Sequence, residues 1–170
     1  RSQRRGGRGL TGAKTREEDF IEHLFVANTH SYILFFTDRG RCHWLKVYNA
    51  PLGKRLSKGR SILNLLDIGQ AERITAFVPV DEFDEHHYVV LATRRGRIKK
   101  TPLSSYANPR RAGIWAMRLS EDDVLIGAVV TDGTAEIVLA KRSGKAIRFP
   151  ETKVRPMGRT AAGARGVTLE

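Results

Sequence analysis

The apolar residues of this chain form short runs that are separated by polar, turn-forming residues. Three of the runs are apolar at nearly every position, at residues 32–36, 88–92 and 137–140. Runs of this length that are rich in β-branched and aromatic residues predict strands, and apolar side chains on both faces predict an inner strand. No segment has the spacing of a convincing amphipathic helix. The pattern therefore predicts an all-β protein.

Each inner run has the same neighbours along the chain. A polar turn with a glycine follows it, at Gly40, Gly96 and Gly144, and this predicts a hairpin. Shorter segments complete a four-stranded antiparallel unit around each hairpin. The predicted first strands are 24–27, 74–78 and 124–126, and the third strands are 41–47, 97–100 and 145–149. The predicted fourth strands are 62–66, 114–117 and the incomplete 167–170.

A small residue followed by an aliphatic one recurs at a nearly constant interval. The pairs are Gly9-Leu10, Ser61-Ile62, Gly113-Ile114 and Gly166-Val167, and the intervals are 52, 52 and 53 residues. A period of about 50 residues indicates a repeat architecture, and four antiparallel strands per repeat predict propeller-like blades. We predict a loop and linker at 1–16 and blades at 17–68, 69–119 and 120–170, the last truncated in its final strand. We expect an incomplete ring, whose open strand edges favour self-association.

Basic residues exceed acidic ones. The chain has 170 residues, with 30 Lys and Arg against 18 Asp and Glu and a formal net charge of +12. This excess indicates nucleic acid or an anionic membrane surface as the partner. The membrane is disfavoured, since the chain has neither a basic amphipathic helix nor an apolar stretch of about 18 residues. The single cysteine, Cys42, excludes an internal disulfide and favours a reducing compartment.

The basic residues are concentrated in the turn and strand that follow each inner run. The predicted contacts with a polyanion are Arg39, Arg41, Arg94, Arg95, Arg97, Lys99, Lys100, Lys141, Arg142 and Lys145. Acidic residues instead precede the first strand of each unit, at 17–19, at Glu72 and at 121–123. Ordinary surfaces mix the two signs, so we predict one cationic rim and a separate anionic rim. A continuous cationic rim suits a long polyanion.

The N-terminal segment is the most cationic copy of the repeated loop. It reads Gln3-Arg4-Arg5-Gly6-Gly7-Arg8-Gly9. The arginine fork matches phosphate oxygens, and glycine lets backbone N–H groups approach an anion closely. No Gly-Lys-Ser/Thr sequence closes it as in a nucleotide-binding loop. A disordered Arg/Gly tail would have the same composition, but the recurrence of the loop favours a folded binding element.

No group of residues has the pattern of a catalytic site. His86 and His87 lie among acidic residues, but their spacing matches no closed metal site, and a solvated loop is the simpler interpretation. Cys42 and His43 are neighbours in a predicted strand, so their side chains face opposite sides and cannot form a nucleophile–base pair directly. We therefore predict a non-catalytic binding module without a metal.

Residues 3–9 closely resemble the signature box of the C-terminal domain of the bacterial DNA gyrase A protein, with Arg8 where that family usually has lysine. Segments 18–21, 26–30 and 73–76 are similar to the same family. The resemblance implies a six-bladed β-pinwheel that wraps duplex DNA, so that the holoenzyme introduces negative supercoils. It further implies that Gln3 through Gly9 are the DNA-binding box and that the basic turns are auxiliary contacts.

The resemblance also implies partners: the gyrase B protein and a second copy of the gyrase A protein, in a heterotetramer of the bacterial cytoplasm. The catalytic tyrosine, ATP and Mg²⁺ would belong to other parts of that assembly, so no cofactor is expected in this chain. Three alternatives stay open. The first is the related topoisomerase IV domain, although that domain lacks an intact box. The second is a propeller-like scaffold that binds an acidic protein. The third is an RNA-binding Arg/Gly module, which the scarcity of aromatics near the box disfavours.

Overall fold

The computed structural model describes residues 5–7, 9, 23–54, 57 and 59–167. These residues form ten strands: β1 (Tyr32–Thr37), β2 (Arg41–Lys46), β3 (Ile74–Val80), β4 (Tyr88–Thr93), β5 (Arg97–Pro102), β6 (Ile114–Trp115), β7 (Leu125–Thr131), β8 (Glu136–Ala140), β9 (Ala146–Pro150) and β10 (Ala164–Arg165). Their four helices are short 3-10 turns at Val47–Asn49, Ile62–Asn64, Leu103–Tyr106 and Glu151–Lys153. No helix in this part of the chain is long and apolar enough to cross a membrane. The predicted all-β class is confirmed.

The strands form two four-stranded antiparallel sheets and a separate hairpin. The first sheet has the order β3-β1-β2-β6, and the second has the order β10-β5-β4-β7. The predicted inner strands β1 and β4 are each paired on both edges. The third predicted inner strand, β8, pairs with β9 alone among the described strands, and its alternate residues are exposed.

The outer strands of each sheet come from a later part of the chain than its central hairpin. β3 pairs with β1 and β6 pairs with β2, while β7 and β10 take the same places beside β4 and β5. Each hairpin edge offers unpaired N–H and C=O groups, which a strand of the following unit satisfies. Both sheets therefore cross the predicted boundaries near residues 68 and 119. Each sheet is thus built from residues of two consecutive predicted units. The division of the sequence into contiguous blades stays a prediction.

Two predicted strands of the first unit do not form. Residues 62–64 are a 3-10 helix, and residues 23–28 have no regular structure. Leu24 and Val26 are 92% and 94% exposed. The rings of His23 and Phe25 contact Phe77 of β3, but the segment forms no backbone ladder with that strand. An apolar run therefore shows that a segment can be buried, but not that it forms a strand.

The repeat ends three residues earlier than the sequence interval suggests. Gly113 and Gly163 have φ angles of 71° and 76° and directly precede β6 and β10. Gly166, the predicted equivalent, follows β10. The structural interval is therefore 50 residues, because the required glycine is the one that lets the short outer strand approach the hairpin closely.

The main hydrophobic core lies between the two four-stranded sheets. Leu34 and Phe36 of β1 pack there with Val89 and Leu91 of β4 and with Leu125 of β7, and all five are fully buried. Since strand side chains alternate between faces, the opposite face of β1 packs in a second cluster. Truncating a core leucine to alanine typically costs about 2–5 kcal/mol, so these contacts hold the turns at the sheet edge in fixed positions.

Candidate nucleic-acid interface

The hairpin turns bring the backbone of a distant segment into close contact. The carbonyl oxygen of Gly40 accepts hydrogen bonds from the backbone N–H groups of Ala116 and Met117, at 2.8 and 3.0 Å. Gly40 has φ 79°, and a Cβ there would lie 2.4 Å from the Met117 carbonyl oxygen. Only glycine fits without displacing the backbone. Gly96 repeats the arrangement in the second sheet with residues 166 and 167.

In each sheet, the segment that bonds the turn glycine is preceded by a cationic loop, at residues 110–113 in the first sheet and 159–163 in the second. In the first sheet the loop at residues 110–113 carries the exposed side chains of Arg110 and Arg111 and is closed by a 2.8 Å backbone bond from the N–H of Gly113 to the Arg110 carbonyl. The imidazole of His43 lies beneath it, so close that a Cβ on Gly113 would be 2.6 Å from the ring. Burial lowers the pKa of His43, which keeps the ring neutral beneath the arginines.

The turns of the two sheets lie side by side at one edge. The backbone N–H of Arg94 donates to the carbonyl of Val124 at 2.9 Å, and the N–H of Leu125 donates to the carbonyl of Asp38 at 3.0 Å. Consecutive residues of one segment therefore contact both turns. The exposed guanidinium groups of Arg39 and Arg94 belong to this shared edge.

Two of the predicted contacts have their guanidinium groups directed at the protein. Arg97 donates from Nε to the carbonyl of Ala162 at 2.8 Å and from Nη2 to that of Gly163 at 2.7 Å. Arg41 donates from Nη2 to the carbonyl of Ala112. Both side chains are half-buried. These bonds fasten the turns to the cationic loops.

The prediction that Lys99 and Lys100 belong to the cationic rim is wrong. They lie inside β5 and are 0% and 4% exposed. Lys99 Nζ donates to the carbonyls of Ala116 and Arg159, and burial, followed by the charge of Arg159, lowers the pKa of Lys99 to about 8. Lys100 Nζ lies 2.6 Å from Oε1 of the fully buried Glu151. Neither ammonium group is available to a ligand.

The predicted separation of cationic and anionic rims is also wrong for the second sheet. Arg95 Nη1 lies 2.6 Å from Asp122 Oδ2, and the Arg95 backbone N–H donates to Asp123 Oδ1 at 2.9 Å. The acidic segment before β7 therefore packs against the basic turn itself. The reason is topological: the segment before an outer strand has to pass the turn of the hairpin with which it pairs. Arg95 is thereby a weaker candidate than Arg94.

The remaining predicted contacts lie at the surface or outside the described residues. Arg142 and Lys145 are exposed in the turn of the third hairpin, and Lys141 is half-buried there. In the box, Arg5, Gly6, Gly7 and Gly9 are exposed, and Gly6 and Gly9 have φ angles of 85° and 73°. Gln3, Arg4 and Arg8 lie outside the described residues.

The other candidate chemistries have structural explanations. Asp84 accepts bonds from the backbone N–H groups of His86 and His87 and pairs with His87 Nδ1 at 2.7 Å, which orders an exposed loop. The described residues contain no cluster of three or more His, Cys, Asp or Glu suited to a metal. Burial raises the pKa of the Cys42 thiol, which makes it a poor nucleophile.

The sequence that carries these glycine turns and cationic loops matches a known domain family. Its sequence profile, described as the DNA gyrase C-terminal domain, beta-propeller, matches residues 1–28, 31–81, 87–132 and 136–170. The chain belongs to this family. The propeller-like fold class and the resemblance inferred from the box are thereby confirmed, and the described residues contain no closed ring.

Relatives of the family give the extent of the match. The DNA gyrase A protein of Salmonella typhimurium is 50% identical over 168 residues, which cover 99% of this chain and 19% of that protein. The chain thus spans about a fifth of the length of the curated relatives it matches. A solved C-terminal domain of DNA topoisomerase IV is 31% identical with a TM-score of 0.77, covering 84% of this chain and 44% of that one. A solved DNA gyrase A C-terminal domain shares the fold at 20% identity with a TM-score of 0.71, covering 94% and 53%.

Arg110 and Arg111 are the residues that sequence reasoning left out of the predicted contacts. Their basic character and their position before Gly113 are visible in the sequence. The missing information was the pairing of β6 with β2, which brings their loop to the hairpin turn about 70 residues earlier. The periodic small residue was the available signal, because it recurs next to a basic loop in each repeat.

Proposed function

We propose that this chain is a non-catalytic DNA-binding and DNA-wrapping module of the DNA gyrase A protein. The observation that carries the proposal is the shared edge, where Arg39 and Arg94 are exposed in two turns that bond one segment. The loop with the exposed Arg110 and Arg111 is joined to the first of these turns through Gly40. Membership of the gyrase C-terminal domain family supports it, as does the naming of the relatives as DNA gyrase A proteins.

The ligand is the phosphate backbone of duplex DNA. B-DNA carries one negative charge per about 1.7 Å of its axis, so a row of guanidinium groups along an edge can neutralise successive phosphates. The described fold has no helix long enough to read the major groove, and contacts with phosphates carry no sequence information. Binding is therefore largely independent of sequence.

Wrapping requires contacts at several points of an arc. Bending 20–30 base pairs costs on the order of 1–6 kcal/mol, which the added phosphate contacts have to offset. The turns of successive repeats provide such points, and the box at residues 3–9 adds the most cationic one. The module thereby bends the duplex, and the complete enzyme uses the bent segment to introduce negative supercoils.

The partners in this proposal are duplex DNA, the gyrase B protein and a second copy of the gyrase A protein, in the bacterial cytoplasm. ATP and Mg²⁺ serve the strand-passage chemistry in other parts of that assembly. The residues of this chain contribute binding and bending, and none of them acts on the reacting phosphodiester.

The dependence of affinity on duplex length tests the proposal. The full-length protein is titrated with labelled duplexes of 20–30 base pairs and with duplexes several times longer, at a series of salt concentrations. A wrapping module gains affinity with length, and log K falls with log salt by about 0.9 per phosphate neutralised. The matched controls are Arg94→Gln at the shared edge and Lys46→Gln at the far end of β2, and only the first should lower the slope.

The alternatives predict different results. A scaffold for an acidic protein shows no gain with duplex length, and an Arg/Gly RNA-binding module prefers single strands. Either result, or a salt slope near zero, would contradict the proposal.

A further inference from the structure

We infer that Arg41 and Arg97 are positioning residues, which hold the cationic loops 110–113 and 159–163 at the binding edge and do not themselves contact the ligand. The inference rests on the proposed function, because the position of these loops matters only if they bind a polyanion. It reassigns two residues that the sequence placed among the phosphate contacts.

The geometry is clearest at Arg97. Its Nε and Nη2 atoms donate to two consecutive carbonyl oxygens, of Ala162 and Gly163, at 2.8 and 2.7 Å. Guanidinium is a rigid planar fork, so two donors can engage two neighbouring acceptors without further adjustment. The Arg97 backbone is fixed as well, since its N–H donates to Thr93 Oγ1 at 3.2 Å.

The first sheet repeats the arrangement with different neighbours. Arg41 is the equivalent residue, since it begins β2 as Arg97 begins β5. Its Nη2 donates to the carbonyl of Ala112, and its guanidinium lies 5.2 Å from the ring centre of Trp115. Its backbone N–H donates to Thr37 Oγ1 at 3.2 Å. In both sheets, therefore, an arginine at the start of the second hairpin strand bonds backbone carbonyls of the equivalent loop.

The loops depend on these bonds because few others hold them. Loop 110–113 has one internal backbone bond, from Gly113 N–H to the Arg110 carbonyl, and its flanking strand β6 has two residues. The turn glycines add the bonds that Gly40 accepts from residues 116 and 117 and that Gly96 accepts from residues 166 and 167. Arg41 is therefore the side chain that bonds loop 110–113 itself, and that loop carries the exposed Arg110 and Arg111. In the second sheet Arg97 holds residues 162 and 163 of the loop, while Lys99 holds the carbonyl of the half-buried Arg159.

The neighbouring arginines serve as matched controls. Arg94 lies three residues before Arg97 in the same turn and is exposed. Changing either residue to glutamine removes one positive charge at almost the same place. Changing either to lysine keeps the charge but removes the planar fork.

The experiment compares R97Q and R97K with R94Q and R94K in the full-length protein. Two quantities are measured: amide hydrogen exchange at residues 166 and 167, and the salt dependence of binding to duplex DNA. We expect both Arg97 variants to accelerate exchange by about tenfold to a hundredfold for each of the two charged hydrogen bonds that is lost. Both should also weaken binding, even though R97K keeps its charge. R94Q should lower the salt slope by about 0.9 without changing exchange, and R94K should bind like the wild type.

The outcomes separate the two claims. If R97K binds like the wild type with unchanged exchange while R97Q lowers the slope, Arg97 is a direct phosphate contact and the inference is wrong. R41Q and R41K, read at residues 116 and 117, provide the same test if the Arg97 variants do not fold. If the wild-type protein does not bind duplex DNA, the proposed function fails, and the exchange data still decide whether the arginines hold the loops.

Discussion

Replacement of Glu151 should destabilise the fold strongly, although the change in shape is small. Glu151 Oε1 lies 2.6 Å from Lys100 Nζ with the two side chains 0% and 5% exposed, and Oε2 accepts the backbone N–H of Ala135 at 3.2 Å. Glu151→Gln conserves volume but leaves the Lys100 ammonium buried without a carboxylate. Removing one partner of a buried ion pair costs about 3–5 kcal/mol. The pair joins β5 to the end of the third hairpin. The loss of unfolding free energy therefore measures how strongly this ion pair attaches the hairpin to the second sheet.

Urea unfolding of the chain, followed by far-UV circular dichroism, measures the loss. With a slope of about 1–3 kcal/mol per molar urea, the midpoint should fall by on the order of 1–5 M. Lys100→Met combined with Glu151→Gln removes the unpaired charge and should recover most of the loss. Glu136 provides the control, because its carboxylate is 3.8 Å from Arg148 with both side chains more than half exposed, and Glu136→Gln should cost less than about 1 kcal/mol. Equal losses for the Glu136 and Glu151 variants would show that the burial of the ion pair does not determine the cost.

Three further results are expected. Replacing Arg110 and Arg111 together with glutamine should lower the salt slope of duplex binding by about 1.8, at 0.9 per contact, and an unchanged slope would exclude both residues from the edge. Because the pKa of Lys99 is lowered to about 8 from 10.5, the unfolded chain binds more protons between these values, so stability should rise with pH across this window. That rise should be absent in Lys99→Met, and its persistence there would assign it to another group. Gly113→Ala should destabilise more than Gly144→Ala in urea unfolding, since both have positive φ but only Gly113 has neighbours within 4 Å of an added Cβ, and equal costs would contradict the close approach.

The central hairpins were predictable because every signal for them is local. The apolar run of β4, the turn with Gly96 and the strand β5 are consecutive in the sequence, and the hydrophobic pattern agrees with the turn chemistry. The outer strands were harder to place. β3 pairs with β1 so that Thr37 faces Ile74, and no local pattern specifies a partner at that distance.

The candidate site was predictable as a class of surface but not residue by residue. The charge of Lys100 is visible in the sequence, yet its burial depends on Glu151, which lies 51 residues away. Arg97 likewise has the composition of a phosphate contact, but its acceptors lie 65 and 66 residues later. Charge in the sequence indicates the kind of ligand, whereas the pairing of distant segments decides which charges reach it.

The most direct test of the proposed wrapping is the topology of closed circular DNA treated with the reconstituted enzyme. Arg4, Arg5 and Arg8 of the box are replaced together with alanine in the full-length protein, and supercoiling and relaxation are measured side by side. Surface substitutions of this kind change stability by about 0.5 kcal/mol or less, so the fold should persist. We expect negative supercoiling to be lost while relaxation of supercoiled DNA continues. Supercoiling at the wild-type rate with the fold intact would contradict it.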